Sequence, residues 1–269
     1  MSIKYTPRPI KSYLNYKNIF PYFIYFLRCF KIFRNPLLFL YSYIFYKNLS
    51  HVKLRNGLTL YLSDHPHDCV TIFTVFVRKD YGKIAKNSVV LDIGGNIGIF
   101  ALYALSSGSS HIYIIEPNSK SINLISKNLK FNNFLNKATI IKSAVTSQSN
   151  QSLKIPIESS MYNTITPRDE VNNNNDNFED VNSISLADLY EKYEGINFTK
   201  MDCEGSEYDI ILNSQNSVLE KVPKYIIEFH KGKVVKLIEK FASAGIKPIT
   251  SNVRDLLEEE IGILDVQKV

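Results

Sequence analysis

Asp92, Gly94 and Gly98 lie in "VVLDIGGNIGIF", where an apolar run ends in an acid and a glycine cluster and then turns apolar again. A turn of this kind between a strand and a helix brings backbone close to a ligand and aims the free N–H groups of the helix start at it. The dinucleotide fingerprint needs glycines spaced G-x-G-x-x-G. Gly95 and Gly98 fill its last two places, but Ile93 stands in the first, so the fingerprint fails. The spacing acid-x-Gly-x-x-x-Gly is met. It suits S-adenosylmethionine, which carries an ammonium, a carboxylate and a sulfonium and has no pyrophosphate to cradle. Asp92 would hold the ammonium side, and the N–H groups from Gly94 to Gly98 would favour the carboxylate. Glu116 follows Asp92 by 24 residues, near the offset of about 20 at which an acid meets a ribose in nucleoside-binding folds.

A second group of acids gathers in "KMDCEGSE" and "IIEFH": Asp202, Glu204, Glu207 and Glu228, with His230 beside them. Methyl transfer is an in-line displacement, so positioning supplies most of the catalysis and a base is needed only to make an alcohol a competent nucleophile. Asp202 is expected to orient or deprotonate the hydroxyl, assisted by His230, which has a suitable unperturbed pKa, or by Glu228. The bland reading stands beside this one. Glu204 and Glu207 sit where a helix should start, and acids are favoured there by the exposed N–H groups alone. A divalent cation on Asp202, Glu204, Glu207 and Glu228 is compatible with the spacing but not required by it. Cys203, flanked by acids, should have a raised pKa and little reactivity.

The elements that would position these residues are short apolar strands alternating with amphipathic helices, which predicts a doubly wound α/β fold with a mostly parallel sheet. Strands are expected at 89–93, 111–115, 138–141, 197–201 and 224–229. Helices are expected near 98–106, 119–131, 186–193, 206–213 and 233–244. The last strands, near 246–250 and 261–266, should form an antiparallel edge. "LKIPI" and "YNTIT" look like an inserted hairpin, and the polar stretch 169–177 looks like a surface loop. In an open sheet of this kind ligands bind beyond the carboxyl ends of the strands, which is where the two acid groups fall.

Ahead of this body, "VKLRNGLTLYLSD" reads as a small hairpin turning at Asn56-Gly57. Residues 1–56 hold ten basic residues and no acid, giving +10, while the rest of the chain carries 22 basic residues against 26 acids. Residues 19–46 are dense in aromatics but interrupted by Arg28, Lys31 and Arg34, and their uncharged runs fall short of the roughly 20 residues a membrane span needs. Phe23, Phe26, Phe30 and Phe33 share a helical face. The expected arrangement is a helical extension over residues 1–50 that caps a catalytic domain over 51–269. Peripheral contact with an anionic membrane is a secondary role. Three scattered cysteines form no disulfide framework and fit a reducing cytoplasm.

Together, "VVLDIGGNIGIFAL", "IYIIEPNSKSINLISKNLKFNN", "KSAV", "SISLADL", "FTKMDCEGSEYDIIL" and "YIIEFH" resemble FkbM-type methyltransferases in order and spacing. The resemblance runs from about Val52 to Ala244. It implies a class I S-adenosylmethionine fold, with the donor held by Asp92, Gly94, Gly95, Asn96, Gly98, Glu116, Pro117, Ser143, Ala144 and Asp202. It also implies O-methylation of a sugar or polyketide hydroxyl, with Asp202 nearest the donor. Asn163 and Thr164 match a small polar segment and, with Glu204 and Glu207, would meet the acceptor. The favoured acceptor is a hydroxyl of a sugar, glycan or lipid-linked precursor. Two rival readings are a nucleic-acid partner for the basic extension, which is disfavoured because no recognised module accompanies it, and a non-catalytic membrane-associated scaffold. The intact Asp92, Gly94, Gly98 and Glu116 set opposes the scaffold.

Overall fold

The computed structural model describes residues 19–157, 166–167, 177–230, 234–249 and 261–268. Helices α1 (Ile19–Ile32) and α2 (Pro36–Ile44) come first, then strands β1 (His51–Lys53) and β2 (Thr59–Tyr61). Helix α3 (Asp68–Ile72) follows and widens into a π-helical stretch over Phe73–Arg78. The body continues with β3 (Val89–Ile93), α4 (Ile99–Ser106), β4 (His111–Ile115), α5 (Ser119–Phe131), β5 (Ala138–Ile141), β6 (Ala144–Val145), β7 (Ser152–Pro156), β8 (Thr166–Pro167) and β9 (Phe178–Ile184). It ends with α6 (Leu186–Lys192), β10 (Phe198–Met201), α7 (Glu207–Asn213), α8 (Asn216–Leu219), β11 (Lys224–His230), α9 (Val234–Ser243), β12 (Ile246–Pro248) and β13 (Ile261–Lys268).

The central sheet has the order β12-β13-β11-β10-β3-β4-β5. Strands β5, β4, β3, β10 and β11 are parallel. Strand β13 lies antiparallel to β11, and β12 antiparallel to β13. From β3 the chain winds outward through β4 and β5, then returns to β10 on the other side, so the strand order reverses between β3 and β10. A crevice opens at such a point beyond the strand ends.

Helix α4 is buried from Ile99 to Leu105. A helix apolar on every side must be covered on every side. The sheet takes one face, and the π-helical stretch takes another, with the Phe76 and Tyr103 rings edge to face at 5.5 Å. That stretch was not foreseen, because its unbroken apolar run, FTVFV, has no period to read. Helices α1 and α2 lie outside it, with Tyr25 and Tyr43 both against Phe73 and Arg28 donating to the Val77 carbonyl at 2.9 Å.

The expected phenylalanine face of α1 is divided. Phe33 is fully buried and stacks on Phe39 at 3.9 Å, whereas Phe23, Phe26 and Phe30 are exposed. Phe33 lies just past the helix end, where it bridges to Leu54, so helical periodicity no longer aims it. The insertion also differs in its pairing. Strand β7 is present, but its main partner is β9, with β8 pairing over two residues. Polar residues Glu179, Asp180 and Asn182 hid the alternation of β9, in which only Val181 and Ser183 are buried.

The β1–β2 hairpin is fastened by two asparagines, Asn128 in α5 and Asn132 at its C-terminal cap. The Asn128 side chain accepts from Tyr61 N at 2.7 Å and donates to the carbonyls of Tyr61 and Ile97 at 3.0 and 2.8 Å. Asn132 accepts from Thr59 N and donates to Thr59 O, at 2.9 and 2.8 Å. A carboxamide carries the same donor and acceptor pair as a peptide, so these side chains imitate a neighbouring strand. Asn128→Ala should lower the free energy of unfolding by roughly 2–4 kcal/mol, because buried backbone groups lose their partners. Urea denaturation with an unchanged m-value would show it.

Candidate functional site

The loop after β3 and the loop after β10 touch at the switch point. A Cβ added to Gly94 would lie 1.9 Å from the Asp202 carbonyl oxygen, and Gly94 has φ +77°. At Gly95 an added Cβ would lie 2.3 Å from Ile114 Cγ2. These glycines therefore let the turn pack directly against the Asp202 backbone and the Ile114 side chain, which no residue with a Cβ could do. Asn96 takes a left-handed conformation, φ 47°, that asparagine tolerates.

Beneath this turn lies a buried ammonium. Lys200 donates to the Gly94 carbonyl at 2.8 Å and pairs with Asp92 Oδ1 at 3.2 Å and Asp202 Oδ2 at 3.7 Å. Burial pulls its pKa down, but the Asp92 and Asp202 charges outweigh burial and raise it. Asp92 is fully buried, and neither carboxylate oxygen accepts a hydrogen bond; the 3.2 Å approach to Lys200 is an ion pair without hydrogen-bond alignment. Burial pushes the Asp92 carboxyl up, against the pull of Lys200. Two orphaned acceptors at the glycine turn fit a ligand that brings its own donors.

Glu116 closes the next side. Its Oε2 accepts from Asn96 N at 2.8 Å and its Oε1 from Asn118 N at 2.9 Å, which leaves lone pairs on both oxygens. Burial raises its carboxyl to about 7, opposed by those two N–H groups. Pro117 follows directly and leads to Asn118, whose side chain caps α5 by accepting from Ser121 N. Ser143 is buried and donates to the Asn182 carbonyl at 2.7 Å, and Ala144 is packed in β6. The Ser143 hydroxyl is therefore committed to the join between β6 and β9.

Beyond Lys200 the acids converge. The Tyr81 hydroxyl lies 2.5 Å from Glu228 Oε2 and 3.2 Å from Asp202 Oδ2, so its one proton bridges the two carboxylates. Burial, then the Asp202 charge, raises the Glu228 carboxyl to about 7. His230 Nδ1 is 3.3 Å from Glu207 Oε1, and its Nε2 is 3.8 Å from Glu204 and 4.0 Å from Glu228. Burial lowers the imidazole pKa, but the Glu207 hydrogen bond and the Glu204 and Asp202 charges raise it to about 9. His230 is thus a cation at neutral pH.

Glu207 is fully buried and accepts from Cys203 N at 2.7 Å and Gly205 N at 2.8 Å. It braces the turn and His230, and it has no surface to offer an acceptor. Glu204 is partly exposed with φ 55°, and burial, then the Asp202 charge, raises its carboxyl to about 8. The Cys203 thiol is raised well above its usual range, by burial first and then by Glu207 and Asp202. Asp202, Glu228 and His230 present ligand atoms within 4.8 Å of one another. Asn163 and Thr164 lie outside the described residues.

Sequence reasoning missed two members of this site. Lys200 stands inside an apolar strand, and a lysine two residues before Asp202 was a readable sign of charge pairing. Tyr81 comes from a connecting segment with no motif. His67 was also missed; it is close enough to Asp202 to feel its charge, yet burial first, then His65, hold it down at about 4.

A family model described as a methyltransferase FkbM domain matches residues 92–260, which includes every acid above. No curated protein matches the sequence. Among solved structures, TrmK of M. capricolum in complex with S-adenosylhomocysteine is 13% identical, with 71% of this chain and 66% of that chain covered and a TM-score of 0.42. Methyltransferase FkbM from Methylobacillus flagellatus is 11% identical with a TM-score of 0.40; the match covers 75% of this chain and about half, 54%, of that one. An rRNA methylase from Streptococcus thermophilus is 8% identical, with 69% and 89% covered and a TM-score of 0.41. Likeness at this level says nothing of this chain's acceptor.

Removing the Lys200 ammonium would strand the buried Asp92 charge. Lys200→Met should destabilise the fold by about 3–5 kcal/mol, the cost typical of breaking a buried pair on one side. Lys200→Met with Asp92→Asn should recover part of that loss. A double-mutant cycle from chemical denaturation measures both.

Proposed function

The chain belongs to the methyltransferase FkbM family and is an S-adenosylmethionine-dependent methyltransferase, and from that premise we propose that it methylates a hydroxyl of a sugar, glycan or glycolipid precursor. Residues 51–269 form the catalytic domain in this reading, and residues 1–50 are an extension to it. S-adenosylmethionine supplies the methyl group. Asp92, whose oxygens lack an aligned hydrogen bond, and the glycine turn from Gly94 to Gly98 support a place here for its amino-acid end. Glu116 has lone pairs free for the ribose hydroxyls, while Asn96 and Gly98 shape the turn between them. Pro117, Ser143 and Ala144 support the pocket wall.

The observation that carries the choice of a hydroxyl acceptor is the Asp202–Tyr81–Glu228 bridge. An alcohol must lose its proton as it takes a methyl group, and the Glu228 carboxylate, raised to about 7, can receive it. Asp202 orients the hydroxyl. The proton passes to Glu228, which shares the Tyr81 hydroxyl with Asp202. His230 stays protonated and holds the surrounding negative charge in place, while Glu204, like Asp202 and Glu228 and unlike Glu207, keeps surface to meet an acceptor. Asn163 and Thr164 complete the acceptor side by resemblance alone. A divalent cation on Asp202, Glu228 and His230 would first have to displace the His230 proton, and no step requires one, so a chelator should leave turnover intact. The setting is cytoplasmic.

Glu116→Ala should weaken binding of S-adenosylhomocysteine by roughly 1.5–3 kcal/mol for each charged hydrogen bond lost, as read by calorimetry. No change in affinity would remove Glu116 from the donor pocket.

Asp202→Asn should cut turnover by about 10²–10⁴-fold while keeping donor affinity. In the unmutated enzyme kcat/KM should rise with pH through about 7, as Glu228 loses its proton. The assay follows label from the donor into fractionated glycans and lipids, with RNA as a parallel acceptor. Label entering RNA alone would replace the hydroxyl-glycan reading.

A further inference from the structure

Ten of the fourteen exposed large hydrophobic side chains among the described residues lie on α1, on α2 or at the α2 end. On α1 they are Tyr22, Phe23, Phe26, Leu27 and Phe30, which at about 100° per residue fall on one arc of roughly 140°. On α2 and at its end, Leu37, Leu38, Tyr41, Ile44 and Phe45 fall on an arc of roughly 120°. Leu37 is 69% exposed and Phe45 is 59% exposed. The opposite faces of both helices meet the same residue, since Tyr25 and Tyr43 each pack on Phe73. The two apolar arcs therefore both point away from the body, as one surface.

At about half exposure, ten such side chains present on the order of 800 Å² of apolar surface, where a monomer commonly leaves only a few hundred. Burying that surface in the body would not explain it, because the inner faces already do that work. The surrounding charge selects the occupant. Lys31, Arg34, Lys47 and Lys53 are exposed beside the two arcs, and no Asp or Glu precedes Asp64 in the sequence. Two copies of this surface would repel, and a neutral apolar partner would gain nothing from the basic rim. RNA would answer the charge but has no use for exposed Leu27, Leu37, Leu38 and Ile44. No described helix is long and apolar enough to cross a membrane.

We propose that the outer faces of α1 and α2 are an in-plane anchor that docks the protein on an anionic lipid bilayer. The aromatic and leucine side chains enter the boundary between headgroups and acyl chains, and the basic residues sit among the anionic headgroups. The anchor goes beyond methyl transfer and does not depend on which acceptor is used.

The test is sedimentation of the full chain with vesicles of phosphatidylcholine, alone or mixed with phosphatidylglycerol. Binding should be at least about tenfold tighter to the anionic vesicles and should weaken about tenfold between roughly 50 and 300 mM salt. Phe23→Glu with Leu37→Glu should abolish it, and unchanged calorimetry with S-adenosylhomocysteine would show that this variant is folded and that the donor site is unaffected. Absence of vesicle binding overturns the proposal. So does binding of a labelled RNA oligonucleotide without vesicle binding, or a dimer in solution that the double variant dissolves while vesicles are ignored.

Discussion

A single ammonium group joins the two halves of the central sheet at the place where its strand order reverses. Lys200 on β10 is in register with Asp92 on β3, so the two side chains leave the same face of neighbouring strands. Two residues further on, Asp202 returns to that face. A slip of one residue would send all three to the other side of the sheet. The Lys200 contact with the Gly94 carbonyl then fixes the glycine turn on which the donor pocket is built. Without the cation the site would hold several carboxylates within a few ångströms and nothing to balance them but His230. The fold of the turn and the charge state of the acids rest on the same interaction.

Much of the body was legible because the parallel strands are short apolar runs and helices such as α5 and α9 have a distinct apolar face. The five parallel strands fall within a residue of where their apolar runs placed them, and the antiparallel edge is present. Strand β13 does more than expected, pairing with β11 over seven residues and separating β12 from the rest of the sheet. What escaped was structure whose reason lies elsewhere in the chain. The π-helical stretch exists because α4 needs a cover, and a strand such as β9 exists because β7 needs a partner. Neither need is written in the segment that answers it.

The site divides along the same line. Asp92, Gly94 and Glu116 were readable because a nucleoside pocket draws on one turn and the end of the next strand, at nearly fixed spacing. Asp202, Glu228 and His230 were readable as strand ends, but their roles were not. The ordinary pKa of histidine suggested a base, whereas the Glu207 hydrogen bond and the acids nearby raise His230 to about 9. Glu207 stood in the sequence as a group for the acceptor, and its complete burial gives both oxygens to backbone and to His230. Tyr81, which joins the carboxylates, could come only from the folded chain, since 121 residues separate it from Asp202.

The asparagine ladder that holds the hairpin has a consequence for how the protein is made. Strand β2 finds its partners on α5 and its C-terminal cap, 67 and 73 residues later in the chain. During synthesis at about 5–20 residues per second, the first sixty residues wait roughly 4–15 seconds before that helix has left the ribosome. The inner faces of α1 and α2 wait only for the Phe73–Arg78 stretch, which emerges sooner, but their outer apolar faces stay uncovered throughout. A nascent chain in this state carries exposed aromatic and aliphatic surface while its hairpin still lacks a partner, and transiently exposed apolar surface of that kind favours aggregation.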